Sequence, residues 1–309
     1  MTILAFRRGR SPARPGPGPV PEAVLRALEF TVARKIEGLL PGEHRSASQG
    51  IGTELTTIRP YQPGDDVRRI DWNVTARTNQ AHVRVDIAER TLTAWLLLDS
   101  SPSMSFGTAD RRKWDVAEGV AMAIGHLASR RGGRLGVLTY GGPDPITHLP
   151  RPGRAGLRGV LVTTQTEIAE NPTGPTSLGS ALTRLQAMSR QRGLVVVVGD
   201  FRGPHDWQKP LTELGYRHQV IAVEIVDPRE CEIPDVGEVV LMDPETGRQL
   251  RVDTTSPRLR EAFADAAGAE RAQVERALAA AGVGHLRLST AGDWLRGLVE
   301  FLRRQRMVK

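Results

Sequence analysis

Asp99-Ser100-Ser101-Pro102-Ser103 sets a carboxylate and two hydroxyls at alternate positions, directly after the apolar run Ala94 to Leu98. A D-x-S-x-S spacing offers three oxygen ligands around one point, and oxygen is what hard divalent cations such as Mg²⁺ select. Alone, the pattern is also an ordinary serine-rich loop after a strand. Two later residues fall at comparable places. Thr176, in Gly174-Pro175-Thr176-Ser177-Leu178, precedes an amphipathic stretch, where its hydroxyl is either a helix N-cap or a ligand. Asp200 ends the run Val195 to Gly199 just as Asp99 ends its own, and by itself reads as a turn or cap residue. Together and in this order, Asp99, Ser101, Ser103, Thr176 and Asp200 form an oxygen set for one cation, Mg²⁺ or another divalent ion such as Mn²⁺ or Ca²⁺. A cation held mainly by neutral hydroxyls keeps unsatisfied charge, so an Asp or Glu supplied by a protein partner can complete the octahedron.

Residues so far apart in the chain meet only if regular elements bring them to one edge. Beyond Thr91 apolar runs alternate with amphipathic ones, the signature of a doubly wound, mainly parallel sheet covered on both faces. Leu92 to Leu98, Leu135 to Tyr140, Leu194 to Gly199, Val220 to Val226 and His285 to Leu288 read as strands, with an edge strand near Ile146 to Leu149. Helices are expected over Trp114 to Arg130, Ser177 to Arg190, Pro257 to Ala281 and Asp293 to Arg306. In such a sheet, ligands bind at the carboxyl ends of the strands, where Asp99 and Asp200 stand. Val236 to Val252 reads as a hairpin with Asp243-Pro244-Glu245-Thr246-Gly247 at its tip, an insertion that decorates the domain. Three regions result: a basic Pro/Gly-rich tail over 1–20, expected to be disordered; a helix at Pro21 to Gly38 and a β-rich segment within 21–90; and the α/β domain over 91–309.

The order D-x-S-x-S, then Gly-Pro-Thr-x-Leu, then a strand-ending aspartate resembles the metal-ion-dependent adhesion site of von Willebrand factor A domains. The resemblance covers Leu92 to about Arg306 and implies that Ser101, Ser103 and Thr176 bind the ion directly, while Asp99 and Asp200 often act through water. Upstream, Glu54 to Trp72, with Arg59-Pro60-Tyr61-Gln62-Pro63-Gly64-Asp65-Asp66 at its centre and Ala76-Arg77 after it, resembles the signature of the bacterial domain-of-unknown-function fifty-eight family. That resemblance implies an A-type domain directly after the signature and a MoxR-type AAA+ ATPase as partner, in complex assembly or chaperone-like remodelling. Many relatives carry membrane helices ahead of the signature, and this chain departs from them. Physically, Asp65, Asp66 and Asp71 facing Arg59, Arg68, Arg69 and Arg77 read as a salt-bridge and turn network. The sharper alternative is a partner surface in which Tyr61 and Trp72 act as aromatic anchors among these charges.

Composition narrows the remaining classes. One cysteine, Cys231, forms no internal disulfide and no cysteine zinc site. No apolar run approaches the roughly 20 residues of a membrane helix, and the N-terminus does not read as a secretory signal, so a cytoplasmic protein is expected. The net charge of +7 invites a nucleic-acid scaffold using Arg7, Arg8, Arg10 and Arg14, but only four of the 42 basic residues are lysines, which points to chain-wide codon bias. There is no Walker A loop, H-E-x-x-H or G-x-S-x-G, and the seven histidines lack ligand spacing. The nearest enzyme is a phosphatase of the haloacid-dehalogenase kind with Asp99 as nucleophile. Such enzymes place a general-acid aspartate two positions on, where this chain has Ser101, so no enzyme activity is expected.

Overall fold

The computed structural model describes residues 55–86, 93–129, 133–142, 145–153, 155–156 and 177–304. The expected tail over 1–20, the expected helix over Pro21 to Gly38 and the expected ligand Thr176 lie outside the described residues. The described chain falls into two units, the first from 55 to 86 and the second from 93 to 304.

In the first unit, β1 (Leu55–Pro60) and β2 (His82–Asp86) pair antiparallel, and between them stand a 3-10 turn (Val67–Arg69) and helix α1 (Trp72–Thr78). The segment expected to be strands and turns thus contains a helix. Asp71 starts it by accepting from the Asn73 and Val74 amides at 3.0 and 3.1 Å, and Asn79 ends it in the left-handed region at φ 56°. Seven residues give too few turns for an apolar period to be legible.

The second unit is built on six strands: β3 (Thr93–Asp99), β4 (Arg134–Tyr140), β5 (Thr147–Pro152), β6 (Leu194–Gly199), β7 (Gln219–Val226) and, after a hairpin, β10 (Gly284–Ser289). Their order is β10-β7-β6-β3-β4-β5, all parallel except edge strand β5, which runs antiparallel to β4. This is the doubly wound order in which the first strand lies at the centre and the chain winds outward both ways. The hairpin is β8 (Glu238–Met242) with β9 (Gln249–Asp253), as expected from the sequence.

Central strands are apolar throughout because both of their faces are covered. Leu96, Leu98, Val196 and Val198 pack on one side with Val116, Val120 and Ile124 of α2 (Lys113–Ser129) and Leu298 and Leu302 of α6 (Trp294–Arg304). Trp95, Leu97, Val195 and Val197 point the other way, against Leu182 and Leu185 of α3 (Leu178–Met188), Leu211 and Leu214 of α4 (Gln208–Arg217) and Val274 and Leu278 of α5 (Pro257–Ala280). Helix α4 was not expected from the sequence. It is short, carries Pro210 in its first turn, where a proline is tolerated, and buries only two leucines. Among the described residues no helix is long and apolar enough to cross a membrane.

Candidate metal centre

Asp99 is the last residue of β3, and Asp200 follows the last residue of β6. These strands are neighbours, yet the chain leaves β3 toward β4 and leaves β6 toward β7. Their loops therefore diverge at the carboxyl ends, the switch point at which open α/β sheets hold ligands.

Four of the five expected ligands meet there. Asp99 Oδ1 accepts from the Ser101 amide at 2.9 Å, Ser101 Oγ lies 2.9 Å from Ser103 Oγ, and Ser103 Oγ donates to Asp200 Oδ2 at 2.8 Å. Because Ser103 spends its proton on Asp200, Ser101 is the donor in the hydroxyl pair. The 3-10 turn Pro102–Ser105, closed by the Met104 amide on the Ser101 carbonyl at 3.0 Å, turns both serines to one side. All four residues are buried. Thr176 lies outside the described residues, but the next residue, Ser177, caps α3 by accepting from the Ser180 amide at 3.2 Å. The cap alternative weighed for Thr176 therefore falls to Ser177.

Two glycines make the crowding possible. A Cβ on Gly199 would collide with the Tyr140 hydroxyl and come within 2.9 Å of Asp99 Oδ2. A Cβ on Gly141 would lie 2.7 Å from Asp99 Oδ1, and Gly141 adopts φ +82°, which side chains disfavour.

Burial and the neighbouring Asp200 push the Asp99 carboxyl up to about 7. Asp200 is held down to about 2: burial opposes its charge, but the Lys113 ammonium outweighs it. Lys113 is fully buried and donates to Asp200 Oδ2 at 2.7 Å and to Glu230 Oε1 at 2.9 Å. The Tyr140 hydroxyl, raised well above its ordinary value by burial and by Asp99, faces Asp99 without a well-aligned hydrogen bond. The Asp99 carboxyl, two hydroxyls within 2.9 Å of each other and the Tyr140 hydroxyl form a buried cluster of oxygens. That donor set fits a hard divalent cation. Among the described residues no three His, Cys, Asp or Glu side chains gather as a metal cage, because hydroxyls make up half of this set.

Composition and spacing did not reveal Lys113, Tyr140, Glu230 or Glu245. Glu245 has the largest consequence. The hairpin expected to be decoration sends its tip to the site, where Glu245 Oε1 accepts from the Ser103 amide at 3.1 Å. An acidic residue in a five-residue turn was a visible signal, but nothing local joined it to a loop 142 residues away.

The family model "Protein of unknown function DUF58" matches residues 57–273. An uncharacterized protein of Mycobacterium tuberculosis, Rv1480, is 45% identical over 291 residues, covering 92% of this chain and 89% of that protein. The chain belongs to the DUF58 family. A shorter Mycobacterium avium relative, MAV169, is 40% identical over 168 residues, or 52% of this chain and 95% of its own. Among solved structures, BatB from Bacteroides thetaiotaomicron is similar to 70% of the chain and 99% of its own, at 11% identity and a TM-score of 0.45. The SpRpn10 VWA domain covers 68% of this chain and 94% of its own, at 12% identity and a TM-score of 0.38. Likeness of that degree assigns no activity.

In this DUF58 protein the signature's three carboxylates and Arg59 are spent on local structure. Arg59 grips Asp65 with two bonds of 2.7 Å, and Asp65 also accepts from the Gln62 amide at 2.8 Å. Asp66 caps the 3-10 turn through the Arg68 amide. Asp71 pairs with Arg84 at 3.0 Å, a partner on β2 that was not among the arginines expected for it. Tyr61 is half-buried, whereas Trp72 is 70% exposed.

Proposed function

We propose that this DUF58 protein is a non-enzymatic, divalent-cation-dependent protein-interaction module of the von Willebrand factor A type. One observation carries the reading: Asp99, Ser101, Ser103 and Asp200 join in an unbroken chain of contacts at the switch point. In this reading Ser101 and Ser103, with Thr176 as the fifth member, hold Mg²⁺ or a similar ion, and Asp99 and Asp200 balance its charge. When bound, the ion supplies unsatisfied positive charge that attracts a partner's carboxylate. The residues themselves orient the oxygens and exclude water: the Ser101 and Ser103 hydroxyls are aligned by each other and by Asp200, and Lys113 anchors Asp200 from beneath.

A phosphatase role for Asp99 has less support. Its Oδ1 is engaged by the Ser101 amide, its charge is disfavoured by burial, and Ser101 stands where a general acid would be needed. The proposed partner is a MoxR-type AAA+ ATPase, and the proposed setting is cytoplasmic complex assembly. Trp72, 70% exposed, is the side chain of the signature best suited to anchor a partner.

Calorimetric titration with Mg²⁺ and Mn²⁺ tests the site. Wild-type protein is expected to bind one ion, and Ser101→Ala/Ser103→Ala protein to bind none. Pull-down from a native lysate, with Mg²⁺ or with chelator, tests the partner: an AAA+ ATPase retained equally with and without the ion would overturn the dependence.

A further inference from the structure

The tip of the β8–β9 hairpin brings a carboxylate to the loop that carries Ser103. Glu245 Oε1 reaches the Ser103 amide at 3.1 Å, so its carboxylate lies beside the serine that bridges to Asp200. The tip that presents it is fixed. Asp243 accepts from the Glu245 amide at 3.1 Å and from the Thr246 hydroxyl at 2.6 Å, and the Gly247 amide closes on the Asp243 carbonyl at 2.8 Å. Asp200 and Glu245 both bond to Ser103, and two carboxylates held that close call for a positive charge between them. Lys113 does not compensate Glu245, since its ammonium is bonded to Asp200 and Glu230. On the Asp99 side, the buried Tyr140 hydroxyl makes no well-aligned hydrogen bond and shares with Asp99 the space above Gly199.

We propose that Glu245 is this chain's own acidic occupant of the cation site, seated where a partner's carboxylate would otherwise go, so that a partner must displace the hairpin tip to bind. This rests on the divalent-cation reading given above. Glu245 remains an exposed residue at the end of a two-stranded arm, which makes the seat exchangeable: withdrawing the arm uncovers no apolar core. The device would hold the cation when the protein is alone and limit binding to partners whose acidic segment outcompetes a tethered carboxylate.

The full chain is titrated with Mn²⁺, wild type against Glu245→Gln, with amide hydrogen exchange followed over residues 238–253. Wild-type protein is expected to bind Mn²⁺ about tenfold more tightly than the variant, the effect of one charged ligand. Mn²⁺ is expected to protect the hairpin amides in the wild type and leave them unchanged in Glu245→Gln. Acetate at saturating concentration is expected to restore affinity in the variant and to add little in the wild type. Equal Mn²⁺ affinity in both proteins, with no hairpin protection, would overturn the role of Glu245 while leaving the cation site intact. Absence of Mn²⁺ binding by the wild type, or equal binding by Ser101→Ala/Ser103→Ala, would overturn the underlying site as well.

Discussion

The Lys113 ammonium lies 2.7 Å from Asp200 and 2.9 Å from Glu230, and all three side chains are shut off from water. Lys113 opens α2, and Glu230 ends the 3-10 turn Pro228–Glu230 after β7, so one buried cation ties the helix to loops leaving two neighbouring strands. Arg202 stands 3.7 Å from Glu230 and shares its charge.

Lys113→Met is expected to lower stability by about 3–5 kcal/mol, because it leaves two carboxylates buried without their counter-ion. Urea denaturation measures it. A loss below about 1 kcal/mol would mean that the pair gains no more from its partner than an exposed salt bridge does.

Asp99 and His218 act oppositely on stability below neutral pH, because burial raises the carboxyl and lowers the imidazole. The folded pKa of Asp99, about 7, lies above the ordinary 3.8, so the folded state holds the extra proton between those values. In the metal-free protein the contribution of Asp99 should therefore be lost as pH rises from about 4 to about 7, and Glu245, also raised, acts in the same direction. Asp200 acts oppositely, but its contribution is complete above its ordinary 3.8 and is lost only as pH falls toward about 2. Denaturation in chelator across pH 4.5–7 should show this decline in the stability of wild type relative to Asp99→Asn. Excess Mg²⁺ should reduce that slope, because the ion takes the place of the proton.

Gly199→Ala should weaken cation binding more than its size suggests. The added methyl meets the Tyr140 hydroxyl and Asp99 Oδ2, so either the phenol or the ligand moves. A stability loss of about 1–3 kcal/mol, typical of overpacking, is expected together with reduced Mn²⁺ affinity. Tyr140→Phe in the same background should relieve part of the clash, and calorimetry on the double variant checks it.

Asp71→Ala removes the α1 cap and the Arg84 pair together. Amides of α1 should exchange about tenfold faster, as expected on losing a capping side chain, while those of β3 and β6 remain protected. Faster exchange at β3 as well would show that the signature unit and the α/β unit unfold together.

The strands β3, β6 and β7 were readable from the chain because fully buried parallel strands must be apolar along their whole length, and their parallel direction followed from alternation with amphipathic helices. The carboxylates at the ends of β3 and β6 were readable for the same reason: a charged residue interrupts an apolar run only where the strand leaves the core. Helices α1 and α4 were not, since elements of seven and ten residues are fixed by a cap and a few contacts instead of a period.

Sequence by itself determined the doubly wound sheet and an oxygen-rich set at its switch point, because periodicity and residue type are local properties of the chain. Only the tertiary structure decided that Lys113 neutralises Asp200, that Tyr140 crowds Asp99 across Gly199, and that the hairpin carries Glu245 to Ser103. Those relations join residues far apart in the chain through charge and contact in space, and no local spacing encodes them.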